Sequence, residues 1–165
     1  MDYSSAPRTT ELISDLKLIP HPEGGYYAET DRQAVDVPSP YANGAPRSLA
    51  TTIFYLLTAD SPCSVIHMNK SVTMHVHHIG RAEYTLIAPS LEKGRPPTRQ
   101  LLVGTGVWKM SRLLDVDLKG PHLERTGCLI TEVVVPGFNW EDHKYLTLGE
   151  LEELFVGEPG GCLNS

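Results

Sequence analysis

From Ser48 onward the chain is a succession of short apolar runs, LATTIFYLLT, CSVIHM, SVTMHVHHI, EYTLIAPS, RQLLVGTGVWKMSRLL and GCLITEVVVPGF. Each ends at a glycine, a proline or a charged turn. β-Branched, aromatic and aliphatic residues fill these runs, the texture of strands rather than helices. Strands at this spacing predict an all-β sandwich or small barrel. A helix precedes them: in TTELISDLKLIP a capping-type Thr opens a run with Leu12, Ile13, Leu16 and Leu18 at near-helical spacing, closed by Pro20 and Pro22. GGYYAETDRQ reads as a strand entered through two glycines, and VDVPSPYANGAPRS as a loop. Near the end TLGELEELF begins with a Thr cap and carries Leu148, Leu151 and Leu154 on one face of a short amphipathic helix. EPGGCLNS is a loose tail. No repeat or linker divides the chain, and 165 residues suit one domain spanning 1–165, with its core over about 11–156.

Composition excludes several classes. The net charge is −6 and Lys and Arg are scattered, so no groove for nucleic acid is expected. No apolar stretch approaches the roughly 20 residues of a membrane span. MDYSSAPRTTELISD lacks the apolar centre of a signal peptide. Cys63, Cys128 and Cys162 are widely spaced, odd in number and form no CxxC, which argues against a disulfide scaffold or zinc finger. A soluble, cytoplasmic protein is expected.

Chemistry concentrates in PCSVIHMNKSVTMHVHHIGRAEYTLI. Side chains alternate along a strand, so Thr73, His75 and His77 share one face, and Met74, Val76 and His78 the other. The local pattern leaves open which face points inward. A cavity holding two imidazoles, an amide and a lysine would remove a proton beside a carbonyl and return it elsewhere. A metal reading also stands, with His75, His77 and Glu83 as an HxHx5E set of two imidazoles and a carboxylate. In HPEGGYYAET, Gly24 and Gly25 permit a sharp turn. Tyr27 and Glu29 then share a face and line the same pocket. Trp108 and Lys109 follow in GTGVWKMSRLL, and PGFNWEDHKY brings Phe138, Trp140, Glu141 and His143 to the mouth of the barrel or an interface.

These stretches together resemble the cupin superfamily, and within it the branch known as DUF985 or Cupin_5. The landmarks are LIPHPEGGYYAET, TTIFYLLT, SVIHMNKSVTMHVHHIG, GVWKMSRL and GCLITEVVVPGFNWEDHKYLT, in order. The resemblance implies a double-stranded β-helix, a jelly-roll barrel, working as a homodimer, and it turns His75 and His77 inward. It also sets a register. Ending the first cupin motif at Gly80 puts His67, Asn69 and Thr73 at the places of three usual metal ligands, and the second motif puts Lys109 at the fourth. Only His67 keeps a ligating side chain, and a lysine brings positive charge toward a cation. The implied barrel is therefore metal-independent and needs no cofactor. By analogy with the RmlC-like sugar epimerases, it is expected to be an isomerase or epimerase, or a related lyase or cyclase. Its substrate would be a sugar-like or natural-product carbonyl compound. His75 and His77 are the expected acid–base pair. His67, Asn69, Thr73 and Lys109 orient the substrate, with Tyr27, Glu29 and Trp108 lining the pocket. The alternatives are a metal-dependent oxygenase or hydrolytic cupin using His75, His77 and a carboxylate, and a non-catalytic small-molecule-binding barrel.

Overall fold

The computed structural model describes residues 2–87 and 98–156. In chain order its elements are α1 (Thr9–Asp15), β1 (Ile19–Pro20), β2 (Tyr26–Arg32), β3 (Asp36–Pro38), β4 (Pro46–Ser48), β5 (Thr51–Thr58), β6 (His67–Asn69), β7 (Val72–Gly80), β8 (Glu83–Ile87), β9 (Gln100–Val103), β10 (Trp108–Arg112), α2 (Asp115–Leu118), β11 (Gly127–Val135), β12 (His143–Tyr145) and α3 (Leu148–Val156). One antiparallel sheet runs β1-β2-β5-β11-β7-β9 and a second runs β12-β6-β10-β8. They form the jelly-roll barrel that the short β runs and the cupin landmarks lead one to expect.

The apolar positions divide between two cores. Tyr55 and Leu57 of β5 and Cys128 and Ile130 of β11 pack together on the inward rows, with Leu113 from just after β10. On the reverse of the same strands Leu56 and Leu129 pack with Leu18 beneath α1. Alternation along β5 and β11 thus serves both faces, which is why TTIFYLLT and GCLITEVVV read as almost continuous apolar runs.

Two local expectations meet a different outcome and one is met. Thr9 does not cap α1; it is buried and its hydroxyl donates to the Glu124 carbonyl, while the Glu11 carboxylate accepts the Arg8 N–H. α3 does carry its cap: the Glu150 N–H donates to Thr147 Oγ1, and the Glu150 carboxylate accepts the Thr147 N–H. The expected loop at 35–48 contains the paired strands β3 and β4. Asn43 and Gly44, both at positive φ, turn the chain between them. The tail, Cys162 and residues 88–97 lie outside the described residues. No helix among the described residues is long and apolar enough to cross a membrane.

Candidate functional site

A cavity of about 300 Å³ opens between the two sheets. β2 contributes Tyr27 and Glu29, β5 contributes Thr51, Ile53 and Tyr55, and β11 contributes Glu132 and Val134. The opposite wall is made by His67 and Asn69 of β6 and Lys109 of β10, with Lys109 and His67 directly paired across their strands. The segment after β11 closes the mouth with Phe138, Trp140 and His143. Its position is fixed by a buried pair, Arg47 Nε donating to Asp142 at 2.7 Å, and by the Phe138 N–H donating to the Thr51 hydroxyl.

The turn between β1 and β2 supplies His21 and Glu23. Gly24 and Gly25 have φ of +95° and +71°, and a Cβ on Gly24 would stand 2.5 Å from the Cys63 carbonyl oxygen. Only glycine fits so close to that backbone. The resulting tight turn delivers Glu23, almost fully buried, among three imidazoles. His143 Nε2 donates to Glu23 Oε1 at 2.6 Å. His67 Nε2 lies 3.2 Å from Glu23 Oε2, while its Nδ1–H donates to the Val65 carbonyl at 2.9 Å. His21 Nδ1 accepts the Glu23 N–H at 3.0 Å. Burial alone would raise the Glu23 carboxyl, but the His143 hydrogen bond and the His67 and His21 imidazoles hold it below the ordinary value. Burial lowers both His67 and His21.

Beneath the cavity a second group of polar side chains forms a closed chain of contacts. The Lys109 ammonium, 3% exposed, donates to His75 Nε2 at 2.9 Å and to Glu132 Oε2 at 3.2 Å. His75 Nδ1–H then faces the Tyr84 hydroxyl oxygen at 3.1 Å. Burial pushes His75 down to about 3, so the ring is neutral near pH 7. Burial also favours a neutral Glu132, but the Lys109 ammonium beside it outweighs burial and holds the carboxyl below its ordinary value. Tyr84 and Tyr55 are raised well above the usual phenol value, chiefly by burial. The lysine is thus the cation that allows a carboxylate to sit charged inside the barrel.

Of the residues singled out from sequence, Tyr27, Glu29, His67, Asn69 and Lys109 meet at the cavity. Thr73 is buried next to them without lining it, and its hydroxyl has no hydrogen-bond partner among the described residues. The register sets Thr73, His75 and His77 opposite Val134, Glu132 and Ile130, so the three share one face. The structure does not bring His75 and His77 together as a pair. His75 lies in the recess behind Lys109, whereas His77 sits one pleat further along with Nε2 against the Gly80 carbonyl at 2.7 Å and lines neither space. Trp108 stands on the opposite side of β10 from Lys109, away from the cavity. Glu83 is exposed and bound to Arg112, so His75, His77 and Glu83 do not converge. Phe138, Trp140 and His143 stand at the mouth, one of the two places expected for them, while the residues that sequence reasoning passed over are Glu23, Glu132, Tyr84 and His21. Glu132 had a signal, a lone acid on the Ile130–Glu132–Val134 row of an otherwise apolar strand.

The places of the usual cupin ligands do not fit a metal. They hold His67, Asn69, Thr73 and Lys109, and the ammonium is anchored there by His75 and Glu132. A different set comes closer: ligating atoms of Glu23, His67 and His143 all lie within 4.8 Å of one another.

A jelly-roll barrel with a polar cavity between its sheets defines the class. The chain belongs to the cupin superfamily, in the family described as Cupin superfamily (DUF985), whose model matches residues 10–146. It is 39% identical to the uncharacterized protein YML079W of Saccharomyces cerevisiae, with 82% of this chain and 74% of that protein covered. A hypothetical protein from Leishmania major superposes with a TM-score of 0.76 at 29% identity, covering 91% of this chain and 93% of the other. Protein SO0799 of Shewanella oneidensis shares the fold, with a TM-score of 0.69 at 22% identity and 91% of each chain covered.

Proposed function

We propose that this cupin is a small-molecule enzyme of the isomerase, epimerase or lyase type, acting by side-chain acid–base chemistry on a sugar-like or other carbonyl compound. The observation that carries the reading is the face-to-face approach of His67 Nε2 and Glu23 Oε2 on the cavity wall. His67 Nδ1 keeps its hydrogen on the Val65 carbonyl, so the facing atoms are both acceptors. A proton taken up at this corner can be held by either atom and passed on, which is what an acid–base centre requires. Lys109 lines the same cavity and offers an ammonium to the oxygen of the substrate. A proton taken from the carbon beside the carbonyl leaves its electron pair on that oxygen, where the ammonium stabilises it. Return of the proton gives an isomer or epimer, and loss of a neighbouring oxygen group instead gives elimination. His75 and Glu132 act through Lys109, as positioning residues. The enzyme is proposed to work in the cytoplasm as a homodimer. The exposed apolar residues Leu102, Met74 and Val135 on the outside of the large sheet offer the surface for pairing.

The test is solvent deuterium exchange, read by proton NMR at the carbon beside the carbonyl, across a panel of ketoses, nucleotide-linked keto sugars and hydroxy ketones. The wild type is expected to exchange at least one of them, and His67→Ala and Glu23→Gln to lose about 10²–10⁴-fold in rate. Binding without exchange across the panel, or full exchange in folded His67→Ala, overturns the reading.

A further inference from the structure

The Glu23 cluster has a second property that follows from where its hydrogens are. The Val65 carbonyl fixes the hydrogen of His67 on Nδ1, leaving the Nε2 lone pair aimed at a carboxylate oxygen 3.2 Å away. Two acceptors at that distance repel unless something positive lies between them. His143 closes the same corner from β12, its side chain almost wholly buried, with Nε2 2.6 Å from the other carboxylate oxygen. A cation taking the place of the hydrogen on that Nε2 would leave His143 as its Nδ1–H tautomer, with a lone pair toward the same corner. The fixing of His67 by a backbone carbonyl through the far nitrogen is the arrangement that orients metal-bound imidazoles.

An independent observation points to the same corner. Asn69, paired across the strands with His143 and more than nine-tenths buried, lines the cavity. Its side-chain oxygen accepts no hydrogen bond from any described residue. A neutral oxygen donor left without a partner beside two imidazoles and a carboxylate is a suitable further ligand. His21, though adjacent, is not available through Nδ1, which already accepts the Glu23 N–H.

We propose that Glu23, His67 and His143 bind a first-row divalent cation, zinc, iron(II) or manganese, with Asn69 Oδ1 at its edge. The site is displaced from the usual cupin ligand places, takes from them only His67 and, at its edge, Asn69, and leaves Lys109 outside the ligand set. The inference deepens the acid–base reading because it uses the same residues. The cation and a proton taken up at this corner compete for the same lone pairs, so the loaded form is the one in which the proposed proton transfer stops.

The test reads ion binding directly. Full-length protein is freed of metal with a chelator, desalted and titrated with cobalt(II), following the visible d–d absorption. Zinc-loaded, desalted protein is measured by elemental analysis. About one equivalent per chain is expected, with Glu23→Gln and His143→Ala weakening it by at least about 100-fold and His78→Ala leaving it unchanged. Glu23→Gln preserves the side chain's shape, so a folded variant is available if His143→Ala does not fold. Absence of cobalt absorption under excess metal overturns the proposal, as does stoichiometric binding that survives in Glu23→Gln. Zinc-loaded protein that exchanges substrate protons faster than the metal-free form would keep the cation site and remove the acid–base reading. Loss of exchange in His67→Ala without any ion binding would do the reverse.

Discussion

Lys109 Nζ sits 2.9 Å from His75 Nε2 inside the barrel, an ammonium donating to an imidazole that burial keeps neutral. The same nitrogen reaches Glu132 at 3.2 Å. One lysine therefore satisfies a buried ring and neutralises a buried carboxylate at once.

Removal of that cation should be costly to stability. In Lys109→Met the Glu132 charge is left buried without its partner, and a loss of about 3–5 kcal/mol is expected. Lys109→Met combined with Glu132→Leu should recover most of it, because a well-packed apolar pair often replaces a buried ion pair without loss. Urea unfolding of the two single variants and the double variant measures the coupling. Additive losses would show that the pair does not act as a unit.

Acid should weaken a different contact. Asp117 accepts two hydrogen bonds from Arg81, at 2.7 and 2.8 Å, and these hold its carboxyl below the ordinary 3.8. A carboxyl depressed in the folded state adds stability that is complete above the unfolded value and disappears as pH falls through the folded one. Asp117→Asn should therefore melt below the wild type at pH 7, and the gap should narrow as the pH is taken down below the ordinary 3.8. A gap independent of pH in thermal melts would rule out this origin.

Two glycines with nearly the same backbone angle should respond differently to alanine. Gly80 and Gly44 have φ of +77° and +78°. A Cβ at Gly44 meets open space, so Gly44→Ala should cost about 1 kcal/mol from backbone strain alone. At Gly80 the added carbon would lie 1.8 Å from the Gly127 carbonyl oxygen, which belongs to the neighbouring strand. Gly80→Ala should therefore displace β11 and cost several times more, read by chemical denaturation. Equal costs would mean that the strand moves freely.

The outer face of the large sheet tests the proposed dimer. Leu102 is 59% exposed and pairs across the strands with Met74. Leu102→Lys is expected to convert a dimer to a monomer in light scattering while leaving the melting temperature of the folded chain within a few degrees. An unchanged mass would place any pairing surface elsewhere.

Much of the fold was legible because strand texture and the cupin landmarks are local. The motif register ending at Gly80 picked out His67 and Asn69, and the second motif picked out Lys109; the three stand on one cavity wall. The rest of the cluster was not legible because it is assembled from distant segments. Glu23 comes from a glycine turn, Glu132 from β11 and His143 from the start of β12, and nothing in the spacing of these residues says that they meet. Alternation assigned His75 and His77 to one face but could not give depth along it. His75 lies behind Lys109, while one pleat later His77 is satisfied by the Gly80 carbonyl, where the register with β11 slips. The paired strands β3 and β4 were hidden by prolines, although the Asn43–Gly44 pair was a hairpin signal.

The Arg47–Asp142 pair gives the small β3–β4 ribbon a reach beyond its size. Arg47 belongs to that ribbon, and Asp142 immediately precedes His143. An imidazole facing the hollow thus takes its seat from a peripheral flap. Lengthening or trimming that flap would retune the chamber without altering one atom of its lining.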